Sequence, residues 1–511
     1  MKQKLPIGIQ SFRELRKGGF LYVDKTKLIA RLSEGGKYFF LSRPRRFGKS
    51  LTLSTLEELF SGRRELFEGL WIENNWDWSL TYPVIHLSFS SIGYKTSSLE
   101  QALHNALEAE AAKYGFQLTA TGYDQKFKEL LEKLSVKGRV VILIDEYDKP
   151  LIDYLEDMPK AIEHQRIIRA FYSIIKDSDP YIRFLLITGV SKFSKVSVFS
   201  ELNNLNDLTI HPKYSTLVGY TQEELEFYFA EGIDEIAAEQ GVEREELLKR
   251  IRDWYNGYSW DGRHFVYNPF SILSFFNAGQ FQNYWFSTGT PTFLVKLLKN
   301  REQVQLERVD VDQSIFESYS LDNLDTLSLL FQTGYSTIKK ISEFGIYTLD
   351  YPNKEVKESM LRHLIGEFRH DSPALTTPIV IKLRQAFIDN DLEKVIDITN
   401  SLFKSIPSHI FIKDREAYYH SVVFLVFQYL GQFIQAEVHT SDGRVDAVVE
   451  TQTHIYLLEF KLDRSAAEAL RQIREKNYAA RFRSSDKALT AVGVNFSSEQ
   501  KCVVDWEAVE M

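Results

Sequence analysis

The spacing of apolar positions switches repeatedly between strand and helix periods along this chain. Residues 38–41, Tyr-Phe-Phe-Leu, are followed by a short basic loop, and Leu51, Leu53, Leu56, Leu59 and Phe60 then recur at helical spacing. This predicts a strand, a loop and a helix start. Just upstream, Leu28, Ile29 and Leu32 mark a helix that Asp24 or Thr26 can cap and that Gly35-Gly36 ends. A second strand is predicted over 82–90, then helices over 98–113 and 124–134. Residues 140–144, Val-Val-Ile-Leu-Ile, have the composition of a strand buried on both faces, and they run straight into Asp145, Glu146 and Asp148. A helix over 162–175 and a strand over 183–189 extend the alternation, which predicts a parallel sheet with helices on both faces.

From Gly219 the pattern becomes helical and acidic, and Thr221 with Glu224 reads as a capping box. Residues 254–273 alternate aromatics with turn formers, and Asn268-Pro269 opens another helix. These features outline a helical lid over 219–290. Between 291 and 384, helices precede the stretch 345–360, read as two short extended pieces joined by a Pro-Asn turn. The outline is winged-helix-like. A helix over 386–404 comes next, then one over 414–430 that Gly431 stops, and two strands over 443–450 and 455–461.

The 511 residues suffice for about three domains. With 44% hydrophobic and 26% charged residues, the chain has the composition of a globular protein with substantial cores. A single cysteine, Cys502, excludes a disulfide framework and a cysteine-rich zinc site, and points to a reducing compartment. No stretch reaches the roughly twenty apolar residues of a membrane span, and residues 1–15 lack a signal-peptide pattern. A cytoplasmic location is expected, with no membrane partner. The net charge of −8 excludes a generally basic nucleic-acid coat, so any DNA binding must rest on a local surface.

Two groups of residues carry chemistry. Gly48-Lys49-Ser50, between a strand and a helix, would aim backbone amides, the helix N-terminus and an ammonium at one spot, an arrangement that holds a polyphosphate. Lys49 would reach the β- and γ-phosphates, and Ser50 would ligate Mg²⁺. Arg43 stands where the first glycine of the usual motif falls. Arg43, Arg45 and Arg46 could touch phosphates, act across a subunit boundary or face water. Asp145 is placed to join the Mg²⁺ shell and Glu146 to polarise the attacking water. Lys192 or Lys195, beyond the fourth strand, could sense the γ-phosphate. The second group lies on the C-terminal strand pair. Glu459 and Lys461 project to one face of their strand, and Asp446 on the neighbouring strand can approach Glu459 closely enough to share a divalent cation. Such hard ligands suit Mg²⁺ or Mn²⁺. Glu416 sits on the preceding helix, while Gln472 and Tyr478 follow near the same end.

These residues together resemble a bacterial and archaeal family of predicted AAA-like ATPases with a C-terminal nuclease domain of the PD-(D/E)XK superfamily. The marks are Tyr22-Val-Asp-Lys-Thr26, Arg43-Pro-Arg-Arg-Phe-Gly-Lys-Ser50, Ile144-Asp-Glu-Tyr-Asp148, Tyr267-Asn-Pro269, and Gly443-Arg-Val-Asp446 with Glu459-Phe-Lys461. The resemblance spans essentially the whole chain. It implies an additional-strand, AAA-like P-loop domain, placed over 1–218, and a restriction-endonuclease-like domain, placed over 385–511; with the helical lid over 219–290 and the winged-helix-like connector over 291–384 read above, the expected protein is α/β. Nucleotide contacts would come from Arg45, Arg46, Phe47, Gly48, Lys49, Ser50, Leu51 and Asp145, with Glu146 as catalytic base. The nuclease site would comprise Glu416, Asp446, Glu459 and Lys461, with Gln472 as a frequent fifth member.

The function expected is an ATP-dependent, metal-dependent DNA endonuclease, with ATP and DNA as partners and homo-oligomerisation left open. A role in defence against mobile DNA, or in its upkeep, follows only by analogy. The alternative is a nucleotide-controlled switch whose C-terminal domain binds DNA or protein without cutting.

Overall fold

The computed structural model describes residues 4–192, 204–286, 306–316, 325–369, 372–404, 416–438, 445–482 and 485–511. Lys195, Gly443 and Arg444 lie outside these, as does the side chain of Glu416. The chain forms two compact units, Met1–Thr288 with Leu306–Glu355, and Gly289–Gln305 with Val356–Met511.

The first unit is built on a parallel sheet of β1 (Tyr38–Ser42), β2 (Val84–Ser88), β3 (Val140–Asp145), β4 (Ile182–Gly189) and β5 (Asn206–Asp207), in the order β2-β3-β4-β1-β5. Its central strands are mostly apolar and almost wholly buried, so helices must cover both faces. In chain order these are α1 (Thr26–Glu34), α2 (Lys49–Phe60), α3 (Leu99–Lys113), α4 (Tyr123–Ser135) and α5 (Met158–Asp177). Asp24 accepts hydrogen bonds from the amide and the hydroxyl of Thr26 at the start of α1. β4 lies between the strand that leads into Gly48-Lys49-Ser50 and the strand that ends in Asp145. Register pairs Ser42 with Gly189 and Ile144 with Ile187, so all three strands finish at one edge.

Four helices follow: α6 (Gln222–Tyr228), α7 (Ala230–Gln240), α8 (Arg244–Tyr255) and α9 (Pro269–Ala278). The capping box forms as expected, and Asn268 caps α9 through two amides. Their apolar faces share a core with Leu21 and Val23. A three-stranded antiparallel sheet of β6 (Val309–Val311), β7 (Thr337–Ile341) and β8 (Tyr347–Asp350), in the order β6-β8-β7, follows with α10 (Thr326–Thr333). Here 345–360 departs from expectation. Its first half pairs backwards with β7, and its second half is helical, in α11 (Lys354–Arg369). Val356, Met360, Leu361, Leu364 and Ile365 are buried at helical spacing.

In the second unit the expected helix over 386–404 is two helices, α12 (Thr376–Ile388) and α13 (Leu392–Lys404), broken where Asn390 takes a left-handed φ of 54°. After α14 (Glu416–Leu430) come β9 (Gln435–Val438), β10 (Ala447–Glu450), β11 (His454–Leu462), α15 (Ala466–Glu475), β12 (Ala488–Ser497) and β13 (Cys502–Glu510). The sheet order is β13-β12-β11-β10-β9, with β11 and β12 parallel and the other pairs antiparallel.

Candidate functional sites

Gly48 takes a φ of +93°, a left-handed turn that costs glycine little, and α2 starts on the next residue. Lys49 is 5% exposed, and its ammonium donates to the carbonyls of Arg43 and Pro44 at 2.8 and 2.9 Å. Burial lowers its pKa, opposed by the charges of Asp145, Glu146 and Asp148. The Ser50 hydroxyl donates to Asp145 Oδ2 at 2.5 Å, and Thr188 at the end of β4 donates to Oδ1, also at 2.5 Å. Ser50 and Asp145, expected to hold one cation, therefore touch. Thr188 went unread; its only signal is a lone hydroxyl in the buried run Phe-Leu-Leu-Ile-Thr. Glu146 adopts a φ of 49°, and burial first, then Asp145, raises its pKa.

The rest of the loop turns toward residues 258–270. Phe47 is buried edge-on against Tyr258 and Trp260. The Arg46 guanidinium lies 4.9 Å from the Phe270 ring centre, the Arg45 side chain is exposed, and Leu51 is half-buried in the first turn of α2. Arg43 follows none of the three roles left open for it. It is completely buried, 4.0 Å from the Trp260 ring centre, and donates through Nη1 to the carbonyls of Ser42 and Thr209. Burial pushes its pKa down to about 9, with Asp207 and Asp261 pulling it back. The Lys192 ammonium, named above as a possible sensor, pairs with Asp207 and donates to the Phe316 carbonyl. Asp148 pins the end of β4 by accepting from the amides of Val190 and Ser191 and from the Ser191 hydroxyl.

In the second unit Ala447 pairs with Leu458, which sets Asp446 opposite Glu459 where the two strands begin to part. Asp446 Oδ2 accepts from the amide of Phe460 at 2.8 Å. Glu459 is 1% exposed; its Oε1 accepts from Lys461 Nζ at 2.9 Å, and its buried Oε2 has no partner. Burial, with the Asp446 charge beside it, pushes the Glu459 pKa up to about 7. A buried carboxylate with an orphaned oxygen, opposite a half-buried one, is a donor set that a hard divalent cation satisfies. Tyr478 lies within reach of the charges of Glu459, Asp446 and Lys461, and its phenol is raised by burial. Gln472 lies beside this phenol and opposes the shift. Among the described residues no cluster of three or more His, Cys, Asp or Glu forms a metal cage.

Both regions match known protein families: residues 6–199 match the family described as Predicted AAA-ATPase, and residues 414–506 match the PD-(D/E)XK nuclease superfamily. The chain thus belongs to the AAA-ATPase-like proteins that carry a C-terminal PD-(D/E)XK domain. It is 40% identical, over 518 aligned positions and 98% of each chain, to an uncharacterized protein in the vnfD 5′ region of Azotobacter chroococcum mcd 1. No solved structure matches it. No described helix is long and apolar enough to cross a membrane.

Proposed function

We propose that this protein binds and hydrolyses ATP in its first unit and is a metal-dependent DNA phosphodiesterase in its second. The observation that carries the reading is the orphaned, buried Glu459 oxygen opposite Asp446, with Lys461 held on the other oxygen. Leaving such an atom unpaired costs about 1–3 kcal/mol, which a bound cation would return. The strand inserted between β1 and β3, and the Ser50–Asp145 contact, support an additional-strand P-loop site in the first unit.

In this reading Lys49 would exchange its carbonyl partners for the β- and γ-phosphates, Ser50 and Asp145 would hold Mg²⁺, and Glu146 would orient the attacking water and take up its proton. In the second unit Asp446 and Glu459 would hold Mg²⁺ or Mn²⁺, and Glu416 would join them on the strength of the family resemblance. The bound metal supplies Lewis acidity and a more acidic water. Lys461 steadies charge on the scissile phosphate, and Gln472 and Tyr478 line the pocket beside it.

The test incubates purified protein with plasmid and Mg²⁺ or Mn²⁺, with and without ATP. Cutting that needs the metal is expected. Lys49→Ala should abolish ATP turnover, while Asp446→Ala or Lys461→Ala should reduce cutting at least about 100-fold and leave ATP turnover intact. Binding of the plasmid without cutting under any metal would favour the nucleotide-controlled switch instead.

A further inference from the structure

The backbone carbonyl of Arg45, in the middle of the phosphate loop, is grasped from two segments of the lid. Trp285 Nε1 donates to it at 3.1 Å and Asn268 Nδ2 at 3.5 Å. Asn268 is fixed by its own capping role, since its Oδ1 accepts from the amides of Phe270 and Ser271. Trp285 is fixed by Glu355, a completely buried carboxyl whose Oε1 accepts from the Trp285 amide at 2.7 Å. Glu355 Oε2 accepts from the Ser271 hydroxyl at 2.8 Å, so one buried group ties both arms together. Gly334 closes the arrangement. A Cβ there would lie 2.7 Å from Pro44 Cβ and Cγ and 3.4 Å from the Trp285 ring, at a φ of +90°.

The clamp bears on the loop's conformation. Arg46 has a left-handed φ of 68°, which a non-glycine residue adopts only at a cost of about 1 kcal/mol or more and keeps only when its surroundings hold it. In a trans peptide the N–H points opposite to the preceding C=O. Fixing the Arg45 carbonyl against Trp285 and Asn268 therefore turns the Arg46 N–H away from the lid. Phe47 is restrained likewise, its carbonyl accepting from the Gly219 amide at 3.3 Å.

We propose that Asn268, Trp285 and Glu355 are positioning residues for the nucleotide: they hold the Arg45 peptide so that the loop's amides face the phosphates, and Glu355 anchors both arms. This rests on the ATP-binding reading of the loop. The test uses the full-length protein, with the Kd for Mg-ATP, KM and kcat as readouts. Trp285→Phe keeps the ring and loses the donor, and Glu355→Ala loses the anchor. Each is expected to raise the ATP Kd and KM about five- to tenfold, with kcat falling less than about twofold. Glu355→Gln keeps an acceptor for the Trp285 amide and should restore both constants. A wild-type Kd in Trp285→Phe overturns the proposal, and so does a Glu355→Gln enzyme no better than Glu355→Ala. Should Glu355→Ala fail to fold, Trp285→Phe decides alone. Lys49→Ala run in parallel separates the two levels, because ATP binding that survives there removes the nucleotide reading itself.

Discussion

Glu355 shows how much a single buried residue can govern. Burial pushes its pKa up to about 8, while the Trp285 and Tyr284 amides and the Ser271 hydroxyl pull it down; the titratable groups facing it are the phenols of Tyr258 and Tyr284. The folded protein thus keeps a proton that the unfolded chain releases near 4.5. Its stabilising contribution is complete below that value and is lost as pH rises toward 8, by at most about 1.4 kcal/mol per pH unit. Melting curves should accordingly show Glu355→Gln gaining on the wild type between pH 5 and 8, with a flat difference above. A constant difference across that range would mean the carboxyl is ionised when folded. None of this was legible beforehand, because Glu355 sits in the stretch expected to be extended. Asp446, Glu459 and Lys461 were legible because strand alternation and a short turn are local rules that put them together. Arg43 was not, since what a buried guanidinium meets depends on Thr209 and Trp260, far along the chain.

Whole elements followed the same division between local and distant causes. The phosphate-loop strand, the strand ending in Asp145 and the Thr221–Glu224 capping box came through because periodicity and caps are written within a few residues. The hairpin of β7 and β8 was misplaced because Pro352-Asn353 reads as a turn whether a strand or a helix comes next. The motif Tyr22-Val-Asp-Lys-Thr26 has a structural explanation at this level. Lys25 donates to Glu224 Oε2 at 2.6 Å and to the Thr216 carbonyl at 3.0 Å, while Glu224 Oε2 also accepts from the Thr221 amide. One carboxylate therefore caps α6 and ties it to the residue that precedes α1. Removing one partner of a largely buried pair is expensive, so Lys25→Met should destabilise the first unit by about 3 kcal/mol. Glu224→Gln adds the loss of part of a cap. The double variant should be less destabilised than the sum of the two singles, and strict additivity in denaturant titrations would mean that the ion pair contributes nothing.

Over the whole molecule the two candidate sites lie in separate units, and the last of the chain's passages between these units falls within a helix. α11 starts at Lys354; Glu355 belongs to the first unit and Val356 to the second. Glu355, which anchors the two arms on the Arg45 carbonyl, is thus the last residue of the first unit, and the continuous run that carries Asp446 and Glu459 begins at the next residue. If ATP shifts that clamp, the shift reaches the start of α11, and coupling between ATP and DNA binding is the expected result. Thermodynamic linkage makes the idea strict, since a factor by which ATP changes DNA affinity must equal the factor by which DNA changes ATP affinity. The protein for this measurement combines Glu146→Gln with Asp446→Ala, so that neither ligand is consumed. Couplings between sites are typically about 5–150-fold, and a ratio of at least about fivefold in both directions is expected, falling toward one when Trp285→Phe is added. Equal Kd values for ATP with and without saturating DNA would mean that the two units act independently, with the helix between them serving only as a connection.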